Sequence, residues 1–595
     1  MEPSPTNPNR GLKILKYTQQ FTPTEKVIFW VLIVVALISA ISLALRVSDI
    51  FSTEIPTSGG TLREGIIGLP RTINPVLAIS DVDRAITGLV YSGLMRYDNG
   101  RLVPDIAQSY TISSDGLVYT FKLKPRVSFQ DGTSLTTQDI VFTIQKVQDS
   151  TLKSPRAADW KDVTVRIVSP TEISFILKQP YSPFITTTVL GILPQHIWET
   201  VTSDQFIFSQ YNTEPIGSGP YRIKSITRDG GGIPIQYSLT TWNSYYEKNP
   251  YLANISFIFL NDELAARAAL DVGKIDSFAS LSPEAVAELK QYSSQQYQIL
   301  SSPLSHIFGV FFNQTESPAL ADITARKALD MAIDRKALID AVLKGYGTPL
   351  SGPTLISGAR NPTRNATTVS TTSSATSTLV TSIFNNIASA QTYLEKNGWK
   401  KGSDGIYAKK VDAKSPTLVL SFELYTANSP ELVQTADLIK NTWNALGANV
   451  SVKVYEPNDL YQNVIRTRKY SALLFGEAIG KDRDLYAFWH SSQRIPPGLN
   501  ISQYANAKTD VLLETMRATT DEKKRDAAYA QFDTLITADV PAIFLYAPDF
   551  IYAVPATLKG VRLNSITTPT DRWSAVREWY METEKVWNVF ASTNK

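Results

Sequence analysis

The sequence predicts a mixed α/β protein of two or more lobes, preceded by one membrane-spanning helix. Three observations carry this reading. A chain of 595 residues exceeds what one hydrophobic core organises, so it divides into lobes. Segments with the period of strands alternate with segments of helical period along most of its length. Near the N-terminus, Val27–Leu45 runs nineteen residues without a charge.

The apolar run comes first. At about 1.5 Å per residue it reaches roughly 28 Å, enough for the hydrocarbon core of a bilayer. Arg10, Lys13, Lys16 and Lys26 precede it, and Arg46 is the one basic residue in the fifteen that follow. The positive-inside rule therefore places residues 1–26 in the cytoplasm and the long remainder outside. A secretion signal has an apolar stretch of about 7–15 residues behind a short basic start. Here the stretch is longer and twenty-six residues precede it, so it is expected to stay on the mature protein as an anchor. Ser39, Ala40, Ser42 and Ala44 nevertheless resemble a cleavage site. Residues 46–60 read as a linker.

In "LVYTFKLKPRVSF", Tyr119, Phe121 and Leu123 alternate with Thr120, Lys122 and Lys124, the period of a half-buried strand. Asp131-Gly132 makes a turn, Thr136 with Asp139 forms an [ST]-x-x-[DE] helix start, and Ile140, Ile144 and Val147 line one helical face. "IGSGPY" (Ile216–Tyr221) reads as a tight crossover in which glycines supply positive φ and proline fixes the exit, rather than as a nucleophile at Ser218. From Thr367 to Thr378, ten of twelve residues are Ser or Thr, a surface insertion that binds nothing. "PTLVLSFELYT" is a buried strand. A helix with Leu432, Ala436, Ile439, Trp443 and Leu446 on one face follows and ends at Gly447, and "NVSVKVY" alternates again. Strand, helix, strand in this order makes a right-handed crossover and a parallel pair. A helix around Asp459–Arg466 and the strand "YSALLFG" extend that sheet into a doubly wound lobe.

Composition excludes several functions. A net charge of +3 with no basic stripe argues against nucleic acid. The absence of cysteine removes thiol catalysis, disulfides, Cys-ligated metals and lipid attachment through cysteine. The three histidines, His196, His306 and His490, lie far apart, so no metal site is expected. There is no G-x-S-x-G elbow, no G-x-x-x-x-G-K-[ST] loop and no G-x-G-x-x-G opening a helix, so no catalytic residue and no cofactor is assigned. A poised carboxylate pair is not readable from sequence, which keeps a membrane-tethered surface hydrolase of wall peptides or glycans as the alternative function. A cargo sensor with a cytoplasmic signalling domain is disfavoured by the shortness of the N-terminal tail.

Several stretches together resemble the solute-binding proteins of the oligopeptide, dipeptide and nickel uptake systems (solute-binding family 5). "LVPDIAQSYTISSDGLVYTFKLKPRVSFQDGTSLTTQDIVFTI" is similar to that family's signature. "GILPQHIW", "EPIGSGPYRI", "ADITARKALDMAIDRKALIDAVLKGYGTP", "LEKNGWKKGSDGIY" and "DLIKNTWNALGANVSV" follow in the family's order over about five hundred residues. The resemblance implies a periplasmic-binding-protein-like fold of type II. Its lobe I would be residues 61–312 and 547–595, with an extra subdomain at about 100–215, and its lobe II residues 313–546. A hinge is implied near Phe311–Asn313 and Leu545–Ala547. It further implies an extracytoplasmic monomer that does no chemistry, binds peptide between its lobes and presents it to an ABC permease powered by cytoplasmic ATPases.

The resemblance also implies two cargo-facing segments, "RTINPVLAIS", with Asn74, and "LLFGEAIGKDRDLYAFWHSSQ". In the second the family carries a Gly-Trp-x-x-Asp pattern whose Asp pairs with the peptide's ammonium. Gly476 matches, but Glu477 stands at the Trp position and Gly480 at the Asp. Asp482 is expected to serve in its place, with Asp484 and Glu477 as further acidic candidates. Tyr91, Phe475, Tyr486 and Trp489 are the aromatic candidates. Nickel ranks below peptide because no His pair is present.

Overall fold

The computed structural model describes residues 22–293, 296–354, 364–365, 375–564 and 566–588. The chain forms two compact units, one from Met1–Ser58 with Tyr580–Lys595 and the other from Gly59–Trp579. In the first, α1 (Pro23–Phe51) begins with proline at its first position, where the missing N–H costs nothing. The Thr22 N–H and hydroxyl donate to the Glu25 carboxylate at 2.8 and 2.9 Å. Its segment Pro23–Leu43 is long and apolar enough to cross a membrane, by length and composition. Val27, Trp30, Leu37 and Leu43 are all exposed on it. The basic tail residues Arg10, Lys13 and Lys16 lie outside the described residues.

Residues 46–60 are not the linker the sequence suggests. α1 continues to Phe51, and β1 (Ser52–Thr57) pairs antiparallel with the C-terminal strand Glu582–Trp587, Ser52 opposite Trp587. The partner comes from the other end of the chain, so no local pattern announces this ribbon. The same pairing makes the C-terminal strand part of the first unit.

The second unit starts with β2 (Gly59–Ile67) and α2 (Asp81–Val90). β3 (Val118–Leu123) then lies in a separate four-stranded antiparallel sheet with Ala107–Ile112, Glu172–Ile176 and Thr164–Ser169. Tyr119, Phe121 and Leu123 are buried, as their alternation predicts. Against it, α3 (Thr137–Gln148) starts with the expected capping box: the Thr136 N–H and hydroxyl donate to Asp139 at 2.8 and 2.9 Å. Ile140, Ile144 and Val147 are buried.

The glycines of "IGSGPY" do something other than supply positive φ. Neither Gly217 nor Gly219 is left-handed. A Cβ at Gly217 would lie 2.1 Å from the Val90 carbonyl oxygen, and one at Gly219 would lie 2.5 Å from that of Leu89. The crossover runs directly against the end of α2, and only glycine permits that approach. Ser218 is buried and its hydroxyl accepts the Ser92 N–H at 3.4 Å.

Next in the chain come β4 (Tyr221–Arg228), β5 (Pro234–Thr241), β6 (Leu252–Leu260), β7 (Ser277–Ala279), β8 (Tyr297–Pro303) and β9 (His306–Phe312). β10 (Ser421–Ala427), α4 (Pro430–Leu446), β11 (Asn449–Tyr455), β12 (Ala472–Ala478), α5 (Ala507–Ala518) and β13 (Ala542–Pro555) complete the unit. The strands join in the order β11-β10-β12-β9-β13-β7-β2-β6-β5-β4, with β8 also on β13. β10 pairs in parallel with both β11 and β12, as the strand–helix–strand reading requires. All five predicted face residues of α4 are buried, and Gly447 closes it at φ 114°. The Trp443 indole N–H donates to the Leu329 carbonyl at 2.9 Å, so this buried ring leaves no donor unmet.

Two expectations shift in detail. "PTLVLSFELYT" breaks at Leu420: Leu418–Val419 pairs with Tyr407–Lys409 in a small sheet, and only β10 joins the large one. The helix at Asp459–Arg466 is a short α turn at Pro457–Asp459 followed by a π turn at Leu460–Ile465. Most of the Ser/Thr run lies outside the described residues; its end, from Ala375, opens the helix Ala375–Lys396.

Among the described residues, hydrophobic cores lie on either side of the middle of the large sheet. One gathers Ile307, Phe311, Trp443, Trp489 and Phe544; the other gathers Ile258, Phe278, Leu289, Ile299 and Ile551. β13 serves both. Its first half pairs with β9 (Phe308 opposite Tyr546) and feeds the first core, while its second half pairs with β8 (Leu300 opposite Tyr552) and feeds the second. Pro548 and Asp549, half-buried, mark the change.

Candidate ligand-binding cleft

β12 ends in Gly476-Glu477-Ala478, and the loop beyond it leads into a short helix, Tyr486–Trp489. Gly476 is small for a reason: a Cβ there would lie 2.8 Å from the Phe308 ring, which stacks on Tyr546 with centroids 5.4 Å apart. Phe475 packs half-buried against the same core. Glu477 is only 4% exposed, and neither carboxylate oxygen has a hydrogen-bond partner among the described residues. Burial pushes its carboxyl well above the ordinary range.

The loop itself alternates between used and unused charges. The Lys481 ammonium lies 2.6 Å from Asp571 and 4.1 Å from the centroid of the Tyr97 ring. Asp484 accepts both the Arg517 Nε–H and Nη2–H, at 2.9 and 2.7 Å, and the Tyr181 hydroxyl at 3.4 Å. Its other oxygen accepts the Tyr486 N–H at 3.1 Å, just ahead of the short helix. Arg517, on α5, also lies 4.1 Å from the Tyr486 ring, and Tyr486 stacks on His490 at 4.1 Å. Between these pairs, Asp482 accepts the Asp484 N–H at 3.2 Å. Among the described residues it has no Lys, Arg or His within ion-pair distance. Burial first, then the charges of Asp484 and Asp159, hold its carboxyl above the usual value against the pull of that N–H. The Asp482 and Asp571 charges add to burial in raising the Tyr97 hydroxyl. A small cavity here is lined by Pro183, Asp482, Asp484, Leu485, Met516 and Arg517.

The expected site residues thus divide. Asp482, Asp484 and Tyr486 share this loop. Trp489 is fully buried, its ring centroid 6.2 Å from Phe311 and 5.9 Å from Phe544, and belongs to the core. Asn74 is buried and locks its own turn: Nδ2 donates to Asn212 at 3.1 Å and Oδ1 accepts the Val76 N–H at 2.9 Å. Tyr91 is buried at the end of α2, its hydroxyl without a partner among the described residues. Sequence reasoning missed Lys481, Arg517, Asp571, Tyr97 and Tyr181. Lys481 stands in the quoted segment without having been singled out, whereas Arg517, Asp571, Tyr97 and Tyr181 sit in no motif and only the fold brings them to the loop. Among the described residues no group of three or more His, Asp or Glu is placed to hold a metal ion.

A mixed α/β sheet shared by two cores, with strands crossing between them, is the periplasmic-binding-protein fold. The family model of bacterial extracellular solute-binding proteins, family 5, matches residues 101–494, and the chain belongs to this family. It is therefore a non-enzymatic, extracytoplasmic binding protein that delivers a solute to the permease of an ABC importer, and its N-terminal apolar helix is a signal sequence or an anchor. Over 515 residues it is 27% identical to the oligopeptide-binding protein AppA of Bacillus subtilis, covering 85% of this chain and 90% of that one. The crystal structure of AppA from Bacillus subtilis in complex with a nonapeptide matches with a TM-score of 0.60 at 25% identity, covering 89% of this chain and all of that one. NikZ from Campylobacter jejuni in complex with Ni(L-His) matches with a TM-score of 0.63 at 24% identity, covering 87% of this chain and 99% of that one, a likeness of fold alone.

Proposed function

We propose that this chain is a monomeric peptide receptor held at the membrane by α1, with its cargo gripped between two lobes. The observation that carries the reading is Asp482, a largely enclosed carboxylate with no cationic partner among the described residues. It stands beside groups whose charges are already matched, and a peptide's terminal ammonium would complete it. Similarity to an oligopeptide-binding protein over most of both chains supports peptide as the solute class. The strand pairing supports a hinge at Leu304–Ser305 and at Ala547–Asp549, where β8 gives way to β9 and β13 changes partner. The first lies upstream of the Phe311–Asn313 that the resemblance implies. Asp482→Asn is expected to weaken peptides with a free N-terminus by about 1.5–3 kcal/mol more than their N-acetylated forms. Calorimetric titration with paired di- to octapeptides checks this, and equal loss for both forms removes Asp482 from the site.

Retention of α1 follows from local concentration. A released binding protein diffuses away from its permease, whereas a tether confines it, with effective concentrations in the millimolar range for suitable linkers. N-terminal sequencing of the native protein from membrane fractions is expected to find α1 intact. A soluble chain beginning between Ile41 and Ser48 contradicts the anchor.

A further inference from the structure

The loop at the end of β12 spends two of its charges on the protein itself. Lys481 reaches Asp571 and Tyr97. The Arg517 guanidinium lies 5.3 Å from the centroid of the Tyr181 ring, and its partner Asp484 accepts the Tyr181 hydroxyl at 3.4 Å. Beside it the Ser182 N–H donates to the Arg517 carbonyl at 2.8 Å while the Ser182 hydroxyl donates to that of Met516 at 3.3 Å. Tyr97, Tyr181, Ser182 and Asp571 all belong to segments outside β9–β13, on the lobe opposite the loop in the two-lobe reading above, on which this inference rests. Both charge pairs are largely covered: side-chain exposure is 13% for Lys481 and 17% for Asp571, and 33% for Arg517 and 13% for Asp484.

We propose that Lys481 and Arg517 are latch residues, which position the two lobes in the closed state through the protein's own groups and leave Asp482 between them for cargo. For a cargo cation to take Asp484 it would have to displace a two-point guanidinium contact, which is among the strongest polar contacts a side chain makes. Asp482 requires no such exchange. A latch of this kind raises the population of the closed state before cargo arrives. Apparent affinity scales with that population, so weakening the latch lowers the affinity for every cargo by one common factor and keeps their rank order. Substitution at a cargo-contacting residue changes the rank order instead.

The chain has no cysteine, so Thr171→Cys and Ala530→Cys, both at exposed positions, give a unique pair of spin labels in the full-length protein. Pulsed dipolar spectroscopy on cargo-free protein, its freedom from solute checked by mass spectrometry, reads the lobe–lobe distance directly. The native chain is expected to populate a short-distance state. Lys481→Met and Arg517→Gln are each expected to shift it to longer distance, with circular dichroism unchanged. The charge swap Lys481→Asp with Asp571→Lys is expected to restore the short distance lost in Lys481→Met. No short-distance state in the native chain, an unchanged distribution in either single variant, or a swap that fails to restore it overturns the latch. Because no peptide is added, that failure is separate from failure of the peptide reading.

Discussion

Glu64→Gln is expected to destabilise the folded chain by about 3–5 kcal/mol, the cost of removing one partner from a buried ion pair. Glu64 and Arg572 are 0% and 2% exposed at their side chains. Arg572 donates to one Glu64 oxygen through Nη2 at 2.7 Å and Nε at 3.2 Å. The other oxygen accepts the Tyr552 hydroxyl at 2.8 Å and the Ser277 hydroxyl. The cluster ties β2, β7 and β13 to the 3-10 helix Pro569–Glu578 that follows Thr568. An uncharged amide at position 64 leaves the guanidinium buried without its counter-charge. The double variant Glu64→Leu with Arg572→Met removes both charges and is expected to lose less than the single variant. Urea denaturation followed by tryptophan fluorescence measures both. A single-variant loss under about 1 kcal/mol contradicts the assignment.

Glu477 has the opposite sign. Its folded-state carboxyl titrates well above the ordinary 4.5 because it is buried, with no hydrogen-bond partner among the described residues. Between those two values the folded chain holds a proton that the unfolded chain has lost, so stability falls as pH rises. The slope is up to about 1.4 kcal/mol per pH unit, beginning above the ordinary carboxylate value and ending at the folded one. Glu477→Gln keeps the shape and removes the titration. The variant is expected to match the native chain at low pH and to exceed it by a growing margin as pH rises toward neutrality. Denaturation curves at a series of pH values check the sign, and parallel curves for the two proteins contradict it.

Elements whose information is local were legible in the sequence. The face of α4 is written in Leu432, Ala436, Ile439, Trp443 and Leu446, and the start of α3 in Thr136 and Asp139, because helix period and capping act within a few residues. β1 was not legible, since its partner strand stands at the far end of the chain and "STEIPT" carries no strand signal of its own. Nor was the role of Gly217 and Gly219: glycine in a loop reads as φ freedom, whereas the requirement comes from α2 lying against the loop. The same division runs through the site. The departure at Glu477 and Gly480 and the nearby Asp482 were visible along the chain. Trp489 looked like a platform for cargo because aromatic residues near a cleft and in a core have the same sequence pattern. The pairing of Lys481 with Asp571, and of Asp484 with Arg517, depends on segments that only the tertiary fold brings together.

The central claim, that the cleft takes peptides, is tested most directly by identifying what the purified full-length chain retains. Protein in detergent is incubated with a defined mixture of di- to octapeptides and, in parallel, with nickel and histidine. After desalting, bound solute is released with acid and read by mass spectrometry for peptides and by elemental analysis for nickel, against a heat-denatured control. Peptides above the control and nickel at the control level are expected. Nickel–histidine retained, with peptides at the control level, would contradict that claim.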